Sequence, residues 1–181
     1  MEYELIRSER KTLALRVEPD GHIQIRAPRR TPLATIERFL REHLDYVEKR
    51  RRQIAAAPRV APMSQEELAA LKKRARPVFL ARVAYFAPLV GVRWERVAVR
   101  SQRSKWGSCS AKGNLNFNCL LLLAPPEVLD YVVVHELCHR RHMDHSRAFW
   151  AEVARVLPDY AARRKWLRQN GQSLMARLPR A

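Results

Sequence analysis

The chain has 181 residues, 47% of them apolar and 29% charged, with a formal net charge of +17 at pH 7. These values suit one compact domain or two small ones, and they exclude collagen, low-complexity disorder and a disulfide-stapled miniprotein. No apolar run approaches the roughly 20 residues that span a bilayer, and no signal-peptide core is visible, so we expect no membrane segment. Three cysteines without a C-x-x-C pair favour a reducing, cytoplasmic location.

The first part of the chain predicts a small sheet followed by a helix. Alternating apolar and polar residues, which are typical of strands, occur at Tyr3–Ile6, Leu13–Val17 and Ile23–Ala27. A Pro-Asp-Gly turn joins the last two runs as a β-hairpin. Thr31, which precedes a proline, is the predicted N-cap of a helix that runs to about Ile54. The proline-containing stretch 55–62 is the predicted linker, so we expect an N-terminal region of residues 1–60 and a second domain of residues 61–181.

The second region predicts a mixture of helices and strands. Ser64 and Glu67 form a capping-box pattern before a long amphipathic helix, which we expect to kink or split at Pro77. The later elements are strands at Trp94–Arg100 and Asn114–Leu121, and helices from Pro126 to about His142, over Arg147–Val156, and from Tyr160 to about Gln169. The chain is therefore expected to have an α+β fold.

The helix after Pro126 carries a metal-binding motif. His135, Glu136 and His139 form the pattern H-E-x-x-H. At about 100° per residue, side chains four residues apart leave the same face of a helix, so both imidazoles can bind one tetrahedral Zn²⁺. Glu136 is displaced from that pair and is suited to accept the proton of a zinc-bound water. The motif thus predicts a catalytic zinc with Glu136 as its general base.

A third histidine, His145, lies ten residues after His135 and is the predicted third ligand. A chain of this composition would contain H-E-x-x-H with a further histidine ten residues after the first by chance roughly once in two thousand cases. Glu152 on the next helix is the rival third ligand. His142 is disfavoured as a ligand, because it follows His139 by three residues and so competes with the four-residue geometry of His135 and His139. Three protein ligands leave the fourth position open for water, which is typical of catalytic zinc. A fourth protein ligand would instead indicate structural zinc.

The polar segment Ser104–Ser110 has no chemistry that its residue types define. We interpret Trp106 as a core residue, the serines as caps of a turn and Gly107 as a tight bend. The alternative is that Trp106 and Lys105 stack on or clamp a ligand at the mouth of the site. Cys109 lacks a neighbouring base in the sequence that would make it a nucleophile. Farther along, candidates for stabilising a reaction oxyanion are Tyr160, Arg163 and Arg164, although packing and a solvated helix face explain them more simply.

Positive charge is concentrated just before the motif helix. No acidic residue occurs between Glu95 and Glu127, whereas this interval contains Arg96, Arg100, Arg103, Lys105 and Lys112. Such a field attracts polyanions, so the last four of these residues form a candidate surface for nucleic acid, which we call the basic strip. An arginine-rich composition spread over a solvated surface explains the charge equally well.

These motifs together resemble the YgjP-like metallopeptidase domain family, which is related to the SprT-like and Wss-type zinc proteases. The resemblance rests on Arg103–Ser110, Asn114–Leu121, His135–His139, His142–Ser146 and Phe149-Trp150. It implies a minimal zincin fold, in which a short mixed sheet lies with its edge strand beside the active-site helix. It also implies zinc held by His135, His139 and His145, with Glu136 as general base and acid.

We therefore expect a zinc metallopeptidase that acts on a peptide or protein. A protein associated with nucleic acid is a candidate substrate, as in the related proteases. Two alternatives remain open. A metal-dependent hydrolase of nucleotide phosphoanhydrides would suit the basic strip, but the sequence has no Gly-rich phosphate loop or acidic Mg²⁺ cluster. A non-enzymatic nucleic-acid-binding module would require a closed zinc site with four protein ligands.

Overall fold

The structure, a computed structural model, describes residues 2–18, 20–56 and 61–179. The chain falls into two compact units, Met1–Arg59 and Val60–Ala181. The predicted boundary at residue 60 and residues 57–60 of the predicted linker lie outside the described residues. Along the part of the chain that the structure describes, no helix is both long enough and apolar enough to cross a membrane.

The first unit builds a small core from a three-stranded sheet and two helices. Its elements are β1 (Glu4–Ser8), β2 (Ala14–Val17), β3 (Ile23–Pro28), α1 (Leu33–Glu42) and α2 (Leu44–Ala56). The strand order is β1-β3-β2, with β1 parallel and β2 antiparallel to the central strand. The alternating pattern of β3 buries Ile23, Ile25 and Ala27 against apolar residues of both helices. The predicted hairpin is therefore confirmed as the pair β2–β3.

The predicted single helix after Thr31 is wrong in two details. Pro32, rather than Thr31, occupies the N-cap position, and no side chain caps this end. The helix is also interrupted at His43, whose backbone N–H turns back to Leu40 while its Nδ1 atom lies 2.8 Å from the Phe39 carbonyl oxygen. These local hydrogen bonds tighten the last turn of α1, and α2 begins anew at Leu44.

The second unit contains the motif helix. Its elements are α3 (Gln65–Val90), β4 (Arg96–Arg100), β5 (Gly107–Cys109), β6 (Asn114–Asn118), a 3₁₀ helix (Cys119–Leu123), α4 (Pro126–Cys138), α5 (Arg147–Val156) and α6 (Tyr160–Met175). The strand order is β4-β6-β5, with β4 parallel and β5 antiparallel to β6. β5 is thus an edge strand, and it packs beside α4. This confirms the α+β fold with a short mixed sheet next to the motif helix.

Helix α3 does not split at Pro77, since it continues through both Pro77 and Pro88. The helix begins with the predicted capping box of Ser64 and Glu67 and ends at Gly91, which has a left-handed backbone conformation. Between these ends it buries a continuous apolar face. We infer that this burial outweighs the roughly 3 kcal/mol that an internal proline costs a helix.

Three predicted boundaries also shift. β6 ends at Asn118 because the Asn118 side chain accepts a hydrogen bond from the Leu120 N–H and starts the 3₁₀ helix over the apolar run. α4 ends at Cys138, and the chain turns before α5. α6 continues past Gln169 to Met175 and passes through Gly171, where a Cβ atom would lie 2.9 Å from the Trp106 ring. This contact explains why a glycine can stand inside the helix.

Candidate metal centre

Helix α4 holds the H-E-x-x-H motif inside the core. Its residues Val132, Val133, Val134 and Leu137 are at most 3% exposed, so the helix is enclosed by α3, α5, α6 and the sheet. Burial of apolar surface on most sides explains why the sequence before His135 is a run of valines. The motif side chains consequently project from a rigid element.

The structure brings the three predicted histidines together. The Nε2 atoms of His135 and His145 lie 3.1 Å apart. One ligand atom from each of His135, His139 and His145 lies within 4.8 Å of the other two. Ligands of a tetrahedral zinc with bonds of 2.0–2.1 Å are about 3.3 Å apart, so the donor set fits a single metal ion. The group could therefore hold such an ion.

The turn between α4 and α5 delivers His145 and orients His139. His139 Nδ1 lies 2.9 Å from the carbonyl oxygen of His142, an acceptor only, so Nδ1 donates and Nε2 keeps its lone pair. The turn ends where Ser146 caps α5 by accepting the Phe149 N–H. His142 thus contributes its backbone rather than its imidazole. No residue of this turn has a positive φ, so its backbone does not require a glycine.

Aromatic rings form the base of the cluster. The Phe149 ring lies 4.6–4.9 Å from the rings of His135, His139 and His145, measured between centroids. Trp150 stacks on His145 at 5.8 Å. Because these apolar groups surround the imidazoles, they restrict ring rotation and exclude water from one side of the cluster.

Burial keeps the imidazoles of α4 neutral. It lowers the pKa of His135 to about 3, with further lowering by His139, His145 and Arg164. It also lowers the pKa of His139, against the opposing effect of the hydrogen bond to His142. Neutral imidazole is the form that binds a metal, so the metal-free cluster is ready to bind an ion at neutral pH.

Glu136 lies beside the histidines and is only 5% exposed. Burial raises the pKa of its carboxyl group to about 8, and the positive charge of Lys105 partly opposes this rise. Proximity to a bound divalent cation would lower the pKa again, because the ion favours the carboxylate. The group is therefore able to exchange a proton near neutral pH, as a general base must.

An open cleft leads to the cluster and to Glu136. Its other wall consists of Lys105, Gly107, Ser108 and Cys109, and Met143 lies at its edge. The sequence interpretation of this segment was wrong about Gly107, which begins the extended strand β5 instead of forming a bend. It was correct about Trp106, which packs against the core. Of the two residues in the ligand-clamping alternative, Lys105 lines the cleft and Trp106 does not. The cleft-lining role of Gly107, Ser108 and Cys109 was missed, because the sequence does not show which strand lies beside α4.

The rival third ligand, Glu152, is engaged elsewhere. Its carboxylate lies 2.8 Å from Arg155 Nη2 and 3.6 Å from Arg141 Nη1. Among the described residues, no fourth histidine, cysteine or acidic side chain joins the three histidines. The arrangement therefore does not favour the closed, four-ligand site that a structural zinc would require.

The three candidates for stabilising an oxyanion also have other contacts. Arg163 pairs with Asp159 at 2.9 Å, and Tyr160 stacks on Trp150 at 5.4 Å. The Arg164 guanidinium lies 4.5 Å from the Trp150 ring centroid. None of the three is among the residues that line the cleft. Their contacts agree with the simpler interpretation as packing and surface groups.

The basic strip is only partly available to a partner. Arg100, Lys105 and Lys112 are exposed. The guanidinium of Arg103 donates a hydrogen bond to the Pro179 carbonyl oxygen and so ties its loop to the end of the described chain. Arg103 therefore has a structural contact that the sequence did not indicate.

Comparison with known proteins identifies the family of the chain. The model of the YgjP-like metallopeptidase domain matches residues 11–71 and 63–170, so the chain belongs to this metallopeptidase family. The chain is also similar to a crystal structure of the metallopeptidase zymogen of Pyrococcus abyssi abylysin, with 22% identity and a TM-score of 0.46. That match covers 52% of this chain and 96% of the other. No curated protein sequence matches the chain.

Proposed function

We propose that this protein is a zinc metallopeptidase that cleaves peptide bonds within the cleft beside α4. The observation that carries the proposal is the convergence of three histidines on one point next to a buried carboxyl group. His135, His139 and His145 would hold the metal, and imidazole ligands suit zinc. When bound, the ion supplies a Lewis acid that makes a water molecule more acidic.

The residues of the chain would supply the proton transfer. Glu136 would accept a proton from the attacking water and pass it to the nitrogen of the leaving amine. Its burial and its contact with the Gly107 backbone support this role, because both restrict the carboxyl group to one place. The aromatic base of the cluster would keep bulk water from the reacting groups.

The edge strand β5 supports a peptide as the substrate. β5 pairs with β6 along one side, and among the described residues no strand pairs with its other side. An extended peptide can add to such an edge through backbone hydrogen bonds. Since β5 also lines the cleft, a peptide added there would lie beside Glu136 and the histidines.

The decisive experiment combines metal analysis with two substrates. We expect purified protein to contain about one zinc ion per chain and to cleave casein in a zinc-dependent manner. Hydrolysis of UTP without cleavage of casein would favour the phosphoanhydride hydrolase instead. Tightly held zinc with neither activity would favour the non-enzymatic module.

We also propose that the basic strip attracts nucleic acid and that the protein acts in the cytoplasm. The free cysteines Cys109, Cys119 and Cys138 suit a reducing compartment. Binding to DNA or RNA through exposed Arg100 and Lys112 should weaken with salt, by a slope of about −0.7 to −0.9 in log K per phosphate contact. Reversing both charges to Glu should flatten that slope. Wild-type protein that is not retained by DNA or RNA at low salt would contradict the proposal.

A further inference from the structure

Lys105 is the one permanent cation among the described residues that line the cleft. Its side chain is exposed, and its ammonium group has no hydrogen-bond or ion-pair partner among the described residues. Lys105 lines the same cleft as Glu136 and the three histidines, so the ammonium group lies on the wall that faces the reacting groups. A positive group in this position is available to a ligand.

The backbone that carries Lys105 is held in place by a buried side chain. Asn118, which is 2% exposed, donates hydrogen bonds from Nδ2 to the carbonyl oxygens of Gln102 at 2.7 Å and Lys105 at 3.0 Å. Its backbone N–H also donates to the Trp106 carbonyl oxygen at 2.8 Å. The Trp106 ring in turn fits against Gly171. The loop thus presents Lys105 to the cleft from a fixed position.

Neighbouring arginines are occupied by other contacts. Arg103 donates to a backbone carbonyl near the end of the described chain, and Arg140 donates to two backbone carbonyls. Arg164 lies over the ring of Trp150. Lys105 differs from these residues because its charge is not used by the fold. No other lysine or arginine is among the described residues that line the cleft.

We propose that Lys105 selects substrates with an acidic side chain close to the bond that is cleaved. The proposal rests on the proposed peptidase function and names a substrate class for it, acidic peptides. A carboxylate on a peptide that follows β5 would pair with the ammonium group at one fixed distance from the scissile bond. An exposed or partly exposed ion pair of this kind changes binding by about two- to fivefold.

Cleavage specificity tests the proposal directly. Zinc-loaded wild-type protein is incubated with a mixture of random decapeptides, and the cleavage sites are read by mass spectrometry. We expect Asp and Glu to be enriched at one position relative to the cleaved bond. The enrichment should disappear in Lys105→Met, persist in Lys105→Arg and change to Lys and Arg in Lys105→Glu. The same acidic enrichment in Lys105→Met, or none in the wild type, would overturn the proposal.

A binding experiment tests the role of Lys105 even if no peptide is cleaved. Absence of cleavage would contradict the proposed peptidase function and not the preference of Lys105 for acidic peptides. The probe is a fluorescent peptide with four Glu residues, and the comparison peptide carries Gln at the same four positions. Binding of each peptide to zinc-loaded Glu136→Gln protein is measured by fluorescence anisotropy. Lys105→Met should reduce the preference for Glu about two- to fivefold. Lys73→Met removes the same charge from the exposed surface of α3 and should not reduce it. An equal loss in both variants, or no loss in Lys105→Met, would refute the assignment.

Discussion

Gly107 contacts the carboxyl group of Glu136 so closely that a Cβ atom at residue 107 would lie 2.5 Å from Oε1. The same atom would lie 2.7 Å from Cγ and 2.8 Å from Cδ, so a rotation of the carboxyl group alone would not relieve the clash. The backbone of Gly107 does not have a positive φ. Glycine is therefore needed at this position for space rather than for backbone conformation.

Gly107→Ala should displace Glu136 without disturbing the metal. The added methyl group moves the carboxyl group by a large fraction of an ångström, and misplacement of about 1 Å can reduce a rate about 100-fold. We expect turnover of a peptide substrate to fall by this order while zinc content stays at the wild-type level. Ser104→Ala, at an exposed position of the preceding loop that does not line the cleft, is the control and should keep the wild-type turnover. Wild-type turnover in Gly107→Ala would contradict the positioning role of this contact.

Zinc affinity distinguishes His145 from Glu152 as the third ligand. His145→Ala removes one of three ligand atoms and should weaken zinc binding by much more than about 100-fold. Loss of a residue that only hydrogen-bonds to a metal ligand typically weakens metal binding by about 10–100-fold. Glu152→Ala should leave zinc affinity nearly unchanged, because Arg155 and Arg141 hold that carboxylate. Competition with a chromophoric chelator measures both constants. If Glu152→Ala weakened zinc binding more than His145→Ala, the ligands would be His135, His139 and Glu152.

Asn118→Ala should destabilise the second unit and loosen the Lys105 loop. The substitution removes both hydrogen bonds from Nδ2 to the loop carbonyls and the bond that caps the 3₁₀ helix. Leaving buried polar groups unsatisfied costs about 1–3 kcal/mol, so the free energy of unfolding should fall by that amount. Urea denaturation measures the change. Asn170→Ala, which loses one bond to its own helix, should have a smaller effect, and equal effects would contradict this role of Asn118.

The metal-free protein should be most stable near pH 6.5. Burial holds the folded-state pKa of His135 at about 3 and also lowers the pKa of His139, so the unfolded chain binds extra protons on both imidazoles below pH 6.5. Just below pH 6.5 these two histidines outweigh the opposing effect of Glu136, so stability falls as the pH drops. The folded-state pKa of Glu136 is about 8, above its usual 4.5, so the folded chain binds an extra proton between these values. That contribution to stability is lost as the pH rises towards 8.

Urea denaturation of metal-stripped protein between pH 4 and 8.5 measures this profile. Between pH 6.5 and 8, Glu136 is the one residue of the motif whose protonation changes on unfolding. A difference of one bound proton changes the free energy of unfolding by about 1.4 kcal/mol per pH unit. Glu136→Gln should therefore remove the decline between pH 6.5 and 8 and steepen the decline between pH 6.5 and 4.5, where the carboxyl group opposes the histidines. An unchanged alkaline decline in that variant would show that another group causes it.

The sequence predicted the features that follow from local geometry. The spacing of His135 and His139 determines their common helix face, and the capping box at Ser64 determines where α3 begins. The strand pattern of β3 likewise determines its buried face. Each of these depends on neighbouring residues alone, so composition and periodicity are sufficient to find them.

Features that depend on distant residues were not predictable in the same way. The continuity of α3 through Pro77 depends on burial along its whole length. The role of Gly107 depends on Glu136, and that of Gly171 depends on Trp106, each on another element of the fold. The place of Lys105 in the cleft likewise depends on Asn118. A single sequence gives no indication of such pairs, because the partners are 29 and 65 residues apart for the two glycines.

Replacement of Glu136 by Gln tests the central claim most directly. The amide cannot accept a proton, whereas His135, His139 and His145 remain in place. We expect zinc content to stay at about one ion per chain while peptide hydrolysis falls by about 10²–10⁴-fold. Glu66→Gln, on the exposed surface of α3, is the control and should keep both properties. Hydrolysis by Glu136→Gln at nearly the wild-type rate would contradict the assignment of Glu136 as the general base.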